Sequence, residues 1–311
     1  MLVEKIAVVT DGSLPTNSKS VHQVVPFYVQ YQDFEDPTNW VSVHGDQMPA
    51  EKFLEIQRIS KKEPSTAQPS PHDFLQAYVA LVDEGYNCIL VLTVPATKSG
   101  TYNSAVTAVK LLQEHRPGLK VRLQVIDTGT TVAGIKYLAE EAMALVERRE
   151  FFDQIVHRLE WLRDKVEIIF ILDTIRYIGS SGRVAELAHH RVADTLKRYA
   201  RGLAAWFAKV SHHSPKVAIT FKGGEEKIVG FSRFYAGAAE ILTKEVEKRE
   251  LEGRQINRIY IYQRDSGYDL SQMLDRITLF TNAEIVVEEQ IPLALLGITG
   301  PKFIALVCIY D

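Results

Sequence analysis

Cysteine and long apolar runs are scarce in this 311-residue chain. Only two cysteines occur, Cys88 and Cys308, and each stands inside an apolar run. A disulfide framework needs more cysteines and C-x-x-C is absent, so both are interpreted as buried structural thiols. No apolar stretch approaches the ~18 residues of a membrane span. The first residues enter a strand pattern with no signal-peptide pattern, so we expect a cytoplasmic protein.

Basic excess and cofactor motifs are also lacking. The chain has 36 Lys and Arg against 39 Asp and Glu, a net charge of -3, so nucleic acid is not an expected partner. The histidine pairs at 189–190 and 212–213 are sequence neighbours, and no metal-ligand spacing accompanies them, so no metal is expected. Residues 13–20 have the spacing of a P-loop without its two glycines, and no GxGxxG occurs, so no nucleotide cofactor is expected.

Hydrophobic periodicity predicts an α/β fold with two domains. Strand patterns alternate with helix patterns in the first half, which is typical of a wound parallel sheet; the strands are predicted at residues 6–9, 24–29, 87–93 and 121–126. The second half mixes a hairpin around Gly223 and Gly224 with βαβ patterns, which predicts an α+β domain with a mixed sheet. We place the domains at 1–152 and 153–311, with the ligand expected at their interface.

Hydroxyl-rich loops occur at residues 10–16, 64–70 and 96–104, and the first and last follow predicted strands. Ligands of wound sheets bind beyond the carboxyl ends of the strands. There, Ser65, Thr66, Ser99 and Thr101 could converge as neutral donors to an anion, especially a carboxylate. The same residues could equally serve only as helix and turn caps.

Catalytic patterns are incomplete at the strand ends. Asp11 ends the first strand, but Ser13 stands where a haloacid-dehalogenase-type site has its second Asp, which favours a loop-capping role. Ser99 lacks a G-x-S-x-G elbow and a histidine base, so it is a hydrogen-bond donor rather than a nucleophile.

Five short segments resemble the motifs of the DegV family, in order and at similar spacing over roughly residues 5–190. The segment PSTAQPSP at 64–71 resembles the TSQPSP loop, and SGTYNSA at 99–105 resembles SGTYQSA. The others are VVTD at 8–11 for VTDS, VIDT at 125–128 for VIDS, and LDT at 172–174 with GRV at 182–184 for DTL…GGRIS.

The resemblance implies a two-domain protein that encloses one long-chain fatty acid and does no chemistry itself. It implies that the hydroxyls of Thr66 and Ser99 hold the carboxylate, with Arg183 near the head group. Ser65 and Asp11 complete the expected ligand-binding set. In some members a partner kinase converts the bound acid to an acyl phosphate, so a fatty-acid kinase is a candidate partner.

The acyl tail would supply most of the affinity, at ~0.8 kcal/mol per methylene, reduced by association costs of about 4–15 kcal/mol. We expect the second domain to enclose it in an apolar tunnel, lined partly by Ile168, Phe170, Ile219 and Ile261.

The chain departs from the family motifs at several positions. Gly12 and Ala67 replace serines, and Ser181 stands beside the retained Gly182 of the GGRIS motif. At the HTGPG motif the chain reads ITGPK, with Ile298 for the histidine and Lys302 for the last glycine.

Two other functions remain open at this point. One is an enzyme acting on a small carboxylate or phosphorylated ligand, with Asp11, Lys98 and Arg183 as its charged groups. The other is a divergent family member that has lost its ligand and acts through protein contacts.

Overall fold

The computed structural model describes residues 4–36, 38–60, 64–172, 216–288 and 291–311. The chain divides into two compact units. The first comprises Met1–Val166, Lys222–Gly224 and Pro292–Leu295, and the second comprises Glu167–Phe221, Glu225–Ile291 and Leu296–Asp311. The division into functional domains after residue 152 stays a prediction. Within the described ranges, no helix has both the length and the apolar character that crossing a bilayer requires.

The first unit alternates strands and helices. Its elements are β1 (Ile6–Asp11), β2 (Gln23–Val25), β3 (Tyr28–Gln32), β4 (Trp40–His44), α1 (Ala50–Ile59), β5 (Ser65–Ala67), α2 (Pro71–Asp83), β6 (Cys88–Thr93), α3 (Thr101–His115), β7 (Arg122–Asp127), α4 (Ala133–Glu147) and α5 (Phe152–Arg163).

The main sheet of this unit has the order β2-β1-β6-β7, and all its described pairings are parallel. Every residue of β1 and β6 is buried, as continuous apolar strands covered on both faces require. Ala7 and Val9 of β1 pack in one core cluster with Phe74 and Tyr78 of α2 and Leu112 of α3. The predicted wound parallel sheet is confirmed.

The strand predicted over residues 24–29 is wrong in one respect, because two strands occupy this region. β2 ends at Val25, and β3 starts at Tyr28 in a separate antiparallel sheet of order β4-β3-β5. Pro26 lies at the break, where it lacks the N–H that a continuing ladder would need.

The remaining elements build a second sheet and its helices. They are β8 (Val166–Leu172), β9 (Lys216–Lys222), β10 (Glu225–Ser232), α6 (Tyr235–Leu251), β11 (Ile256–Arg264), α7 (Leu270–Ile277), β12 (Glu284–Glu288), α8 (Leu293–Thr299) and β13 (Phe303–Tyr310). The sheet order is β10-β9-β8-β13-β11-β12. β11 pairs parallel with β12 and antiparallel with β13, which confirms the predicted mixed sheet.

One face of this sheet packs against α6 and α7. Ile169 and Ile171 of β8 share a core cluster with Leu242 and Val246 of α6 and Met273 of α7. Since side chains alternate along a strand, Ile168 and Phe170 point to the opposite face.

A buried ion pair ties α6 to the sheet. Arg249 and Glu167 are both 4% exposed. Nε of Arg249 donates to Oε2 of Glu167 at 2.9 Å, and Nη2 donates to Oε1 at 2.5 Å. The hydroxyl of Tyr310 donates to Oε2 at 2.6 Å. Burial opposes ionisation of Glu167, but the hydrogen bonds from Arg249 and Tyr310 outweigh it and hold its pKa below the ordinary value.

Candidate functional site

Two strand-end carboxylates hold the loop that follows β6. Asp11 ends β1, and its Oδ2 accepts the N–H of Val94 at 2.7 Å. Asp127 ends β7, and its Oδ2 accepts the N–H of Ala96 at 3.1 Å. Because β6 lies between β1 and β7, the loop is fixed from both neighbouring strands. This loop carries Ser99.

Asp11 is almost fully engaged within the protein. The carboxylate is buried, and its Oδ1 accepts the N–H of Ser13 at 2.9 Å while Oδ2 takes the N–H of Val94. Burial raises the pKa of Asp11, and the hydrogen bonds from Ser13 and Val94 oppose that rise in part. These contacts give Asp11 a structural role, and its contact with a ligand stays a prediction.

Ser99 lies just before α3 and forms two hydrogen bonds with Thr101. Its Oγ accepts the backbone N–H of Thr101 at 3.3 Å and lies 2.7 Å from Oγ1 of Thr101. Thr101 is 3% exposed, whereas Ser99 is half-buried. When Thr101 donates its hydroxyl proton to Ser99, the Ser99 hydroxyl retains only its own proton to offer, so it acts outward as a donor.

Thr66 lies on the short strand β5, which the sequence pattern predicts as loop. It pairs with Val29 of β3, and Ser65 pairs with Gln30. Thr66 is exposed, Ser65 is half-buried, and neither hydroxyl has a hydrogen-bond partner among the described residues.

The start of α2 fixes the chain after β5. Ser70 and Asp73 form a reciprocal capping box, in which Oδ2 of Asp73 accepts the N–H of Ser70 at 2.7 Å. The hydroxyl of Tyr28 donates to the same carboxylate at 3.0 Å and so links α2 to β3. β5 therefore pairs with β3, and the cap of α2 fixes the chain that follows β5.

Gln68 brings the Thr66 and Ser99 segments together. A Cβ atom on Gly100 would overlap the carboxamide of Gln68, so only glycine permits this close approach. Nε2 of Gln68 also donates to Oγ of Ser104 in α3 at 3.3 Å. Gln68 follows Thr66 by two residues, and Gly100 follows Ser99 directly. Sequence reasoning missed Gln68, although its place inside the PSTAQPSP segment was the available signal.

Phe27 is a second residue that sequence reasoning missed. Its ring lies against Gly12, where a Cβ atom would overlap Cδ1 of Phe27 and come within 2.7 Å of its backbone nitrogen. The carbonyl of Phe27 also accepts the N–H of Gly45 at 2.7 Å. The loss of the family serine at position 12 therefore makes room for an aromatic ring beside the end of β1.

The remaining sequence predictions for the site concern Arg183 and a metal ion. Arg183 lies outside the described residues. In the described part of the chain, no group of three or more His, Cys, Asp or Glu side chains could hold a metal ion. What the described site offers is neutral hydroxyl donors near the first turn of α3, which contains no acidic residue.

Comparison with known proteins places this architecture. A Thermotoga maritima protein named fatty acid-binding protein is 28% identical over 188 residues, covering 58% of this chain and 61% of that protein. The structure of a stearic acid-binding protein from Eubacterium ventriosum superposes with a TM-score of 0.76 at 19% identity, covering 98% of each chain. The Streptococcus pneumoniae fatty acid kinase (Fak) B3 protein, loaded with linoleic acid, gives 0.76 at 19% identity over 99% of this chain and 100% of that one.

The coverage and identity of these matches determine which conclusions they support. The alignments with the first curated relatives span 60–63% of the length of those relatives. The structural matches, below 25% identity, show a shared fold. The family model of the DegV family matches residues 5–311, almost the entire sequence. This chain therefore belongs to the DegV family.

Proposed function

We propose that this protein binds one long-chain fatty acid and holds its carboxylate with the hydroxyls of Thr66 and Ser99. The observation that carries the proposal is the hydrogen bonding of Ser99. When the Thr101 hydroxyl donates to Ser99, Thr101 fills both acceptor positions of the Ser99 Oγ, and the Ser99 hydroxyl is then left to donate. A group that only donates suits an acceptor such as a carboxylate and needs neither a base nor a metal.

The surroundings of Ser99 support an anionic head group. α3 has 15 residues, its N-cap Gly100 provides no side-chain cap, and its first turn has no acidic residue. The partial positive charge of the helix N-terminus is therefore not neutralised by its own side chains. The Gln68 side chain, two residues after Thr66, contacts Gly100 and Ser104, which supports the placement of the Thr66 hydroxyl near this terminus as the second donor.

The acyl tail is assigned to the face of the second sheet that points away from α6 and α7. Phe170 pairs with Ile219, and Ile168 points to the same side, so three of the four predicted lining residues share that face. Ile261 instead packs in the core cluster with α6 and α7, which removes it from this set. All three retained residues are apolar and at most 8% exposed.

A carrier role follows from this assignment. The protein performs no chemical step in the proposal, and a fatty-acid kinase that acts on the presented acid is its candidate partner. The pneumococcal relative loaded with linoleic acid, which carries the name of a fatty acid kinase protein, supports that pairing. The cytoplasmic location stays a prediction.

Purified protein is expected to carry an endogenous acyl chain. Native mass spectrometry of the protein and organic extraction of the same sample should both show it. Repeated absence of an acyl chain, together with failure to bind added palmitate or oleate, would contradict the proposed function. A bound small polar carboxylate would favour an enzyme instead.

Thr66→Ala and Ser99→Ala are each expected to weaken binding of palmitate by about 1–3 kcal/mol, or roughly 5- to 150-fold in Kd. Each change removes a hydrogen bond to a charged group. Titration with a fluorescent fatty acid and competition by palmitate measures the loss. Ser42→Ala is the control, because Ser42 is an exposed hydroxyl on β4 of the same small sheet, opposite Gln30. If both site variants bind as the control does, the head-group assignment is wrong.

A further inference from the structure

Cations and aromatic rings cluster where β10 leads into α6. The guanidinium carbon of Arg233 lies 5.3 Å from the centre of the Phe234 ring, and Nζ of Lys216 lies 5.0 Å from the centre of the Tyr235 ring. The hydroxyl of Tyr235 donates to the carbonyl of Lys302 at 2.8 Å. These five residues are called the α6 cationic surface.

This surface presents positive charge and an exposed ring. Phe234 is 60% exposed, and the side chains of Arg233 and Lys302 are also exposed. Neither Arg233 nor Lys302 forms an ion pair with any described acidic side chain. The N-cap of α6 makes no side-chain cap, and its first turn has no acidic residue, so the helix terminus adds to the positive potential.

We propose that the α6 cationic surface docks an acidic segment of a partner protein. Exposed aromatic rings combined with arginine are the composition of binding hot spots, where a ring anchors the contact and the cation pairs with a carboxylate. Ala236 and Gly237 follow in the first turn of α6, and such small side chains let a partner chain approach the helix end closely. The inference stands apart from the proposed fatty acid.

The positive charge of the α6 cationic surface favours an acidic partner over the other candidate occupants. Residues 173–215 of this chain have seven Lys or Arg against three Asp or Glu, so their composition does not complement a positively charged surface. A bilayer is a poorer match than a protein. A helix that lies on a membrane offers it a whole apolar face, whereas the apolar face of α6, with Ala238, Leu242 and Val246, packs in the core.

Lys302 distinguishes this surface from the corresponding position of the family motif. It stands where the HTGPG motif of the family has its last glycine, so that motif supplies no cation at this point. Its backbone carbonyl is fixed by Tyr235, which places the exposed lysine beside the start of α6.

Fluorescence anisotropy with a labelled glutamate-rich peptide containing leucines tests the docking surface on the full-length protein. We expect the double variant Arg233→Glu with Lys302→Glu to weaken peptide binding about tenfold or more. Phe234→Ala, which changes no charge, is expected to weaken binding about fivefold through loss of the anchor. The control is Lys244→Glu with Lys248→Glu, an equal charge change at exposed positions further along α6.

The outcomes separate docking from general charge attraction. Unchanged binding by the control, with weakened binding by the other variants, supports the proposal, provided that all variants show the same thermal unfolding midpoint. Equal loss in both double variants would show only a net-charge effect and would overturn it. No peptide binding at up to about 1 mM, or binding confined to phosphatidylglycerol vesicles, would overturn it as well. Fatty-acid content, measured in parallel, reports on the proposed function separately.

Discussion

Replacing Arg249 by methionine is expected to lower the free energy of unfolding by about 3–5 kcal/mol. Arg249 neutralises the buried carboxylate of Glu167 through two hydrogen bonds, and it also pairs with Glu245 through Nη1 at 2.6 Å. Methionine fills similar volume but leaves the charge of Glu167 in the core, where its remaining cationic partner is the partly exposed Arg254, 3.6 Å away. Urea unfolding followed by circular dichroism measures the change, with Lys248→Met as an exposed control on the same helix.

A second substitution shows whether the stranded charge causes the loss. Glu167→Gln combined with Arg249→Met removes both charges and keeps an acceptor for the Tyr310 hydroxyl. This double variant is expected to recover part of the stability lost by Arg249→Met alone. A loss below about 1 kcal/mol in Arg249→Met would contradict a structural role for the pair.

The same pair predicts an acid-side pH dependence. The pKa of Glu167 in the folded state lies below its ordinary value of 4.5, so the folded state favours the ionised form. Its contribution to stability is complete above that value and is lost as the pH falls through the lower folded-state pKa. Unfolding free energies measured between neutral and acidic pH should decline less steeply in the Glu167→Gln, Arg249→Met variant. An identical slope in both proteins would contradict this assignment.

The sequence correctly predicted those strands and turns whose first and last residues are set by their own side chains rather than by distant contacts. The strands predicted at residues 87–93 and 121–126 are β6 (Cys88–Thr93) and β7 (Arg122–Asp127), and no boundary differs by more than one residue. The two adjacent glycines at 223 and 224 correctly predicted a turn. Both adopt positive φ angles, 58° and 81°, which few other residues tolerate.

Contacts between residues distant in sequence could not be predicted from local sequence patterns. The Glu167–Arg249 pair joins residues 82 positions apart, and Gln68 meets Ser104 across 36 positions. The assignment of Thr66 to a strand also depends on its remote partner Val29, since three residues of β5 have no periodicity of their own. Sequence motifs thus indicated which loops carry the candidate site, whereas the packing that orients these loops is visible only in the folded chain.

Asp11→Ala is expected to lower the free energy of unfolding by about 2–3 kcal/mol and to weaken fatty-acid binding as well. The change leaves the buried N–H groups of Val94 and Ser13 without their carboxylate partner, and each unsatisfied group costs about 1–3 kcal/mol. Because burial raises the pKa of Asp11, its removal also relieves a desolvation cost, which places the net loss near the lower end of the summed range.

The effect on binding follows from the loop rather than from direct contact. Val94 belongs to the segment that leads from β6 to Ser99, so losing its anchor lets the Ser99 hydroxyl leave the position that Thr101 sets. Asp36→Ala is the control, because Asp36 accepts the N–H of Thr38 at 3.0 Å in an exposed turn. Urea unfolding should show a lower free energy of unfolding for Asp11→Ala, and palmitate titration should show a higher Kd. Both quantities should be unchanged in Asp36→Ala. Reduced stability with unaltered affinity would show that Asp11 supports the fold without positioning Ser99.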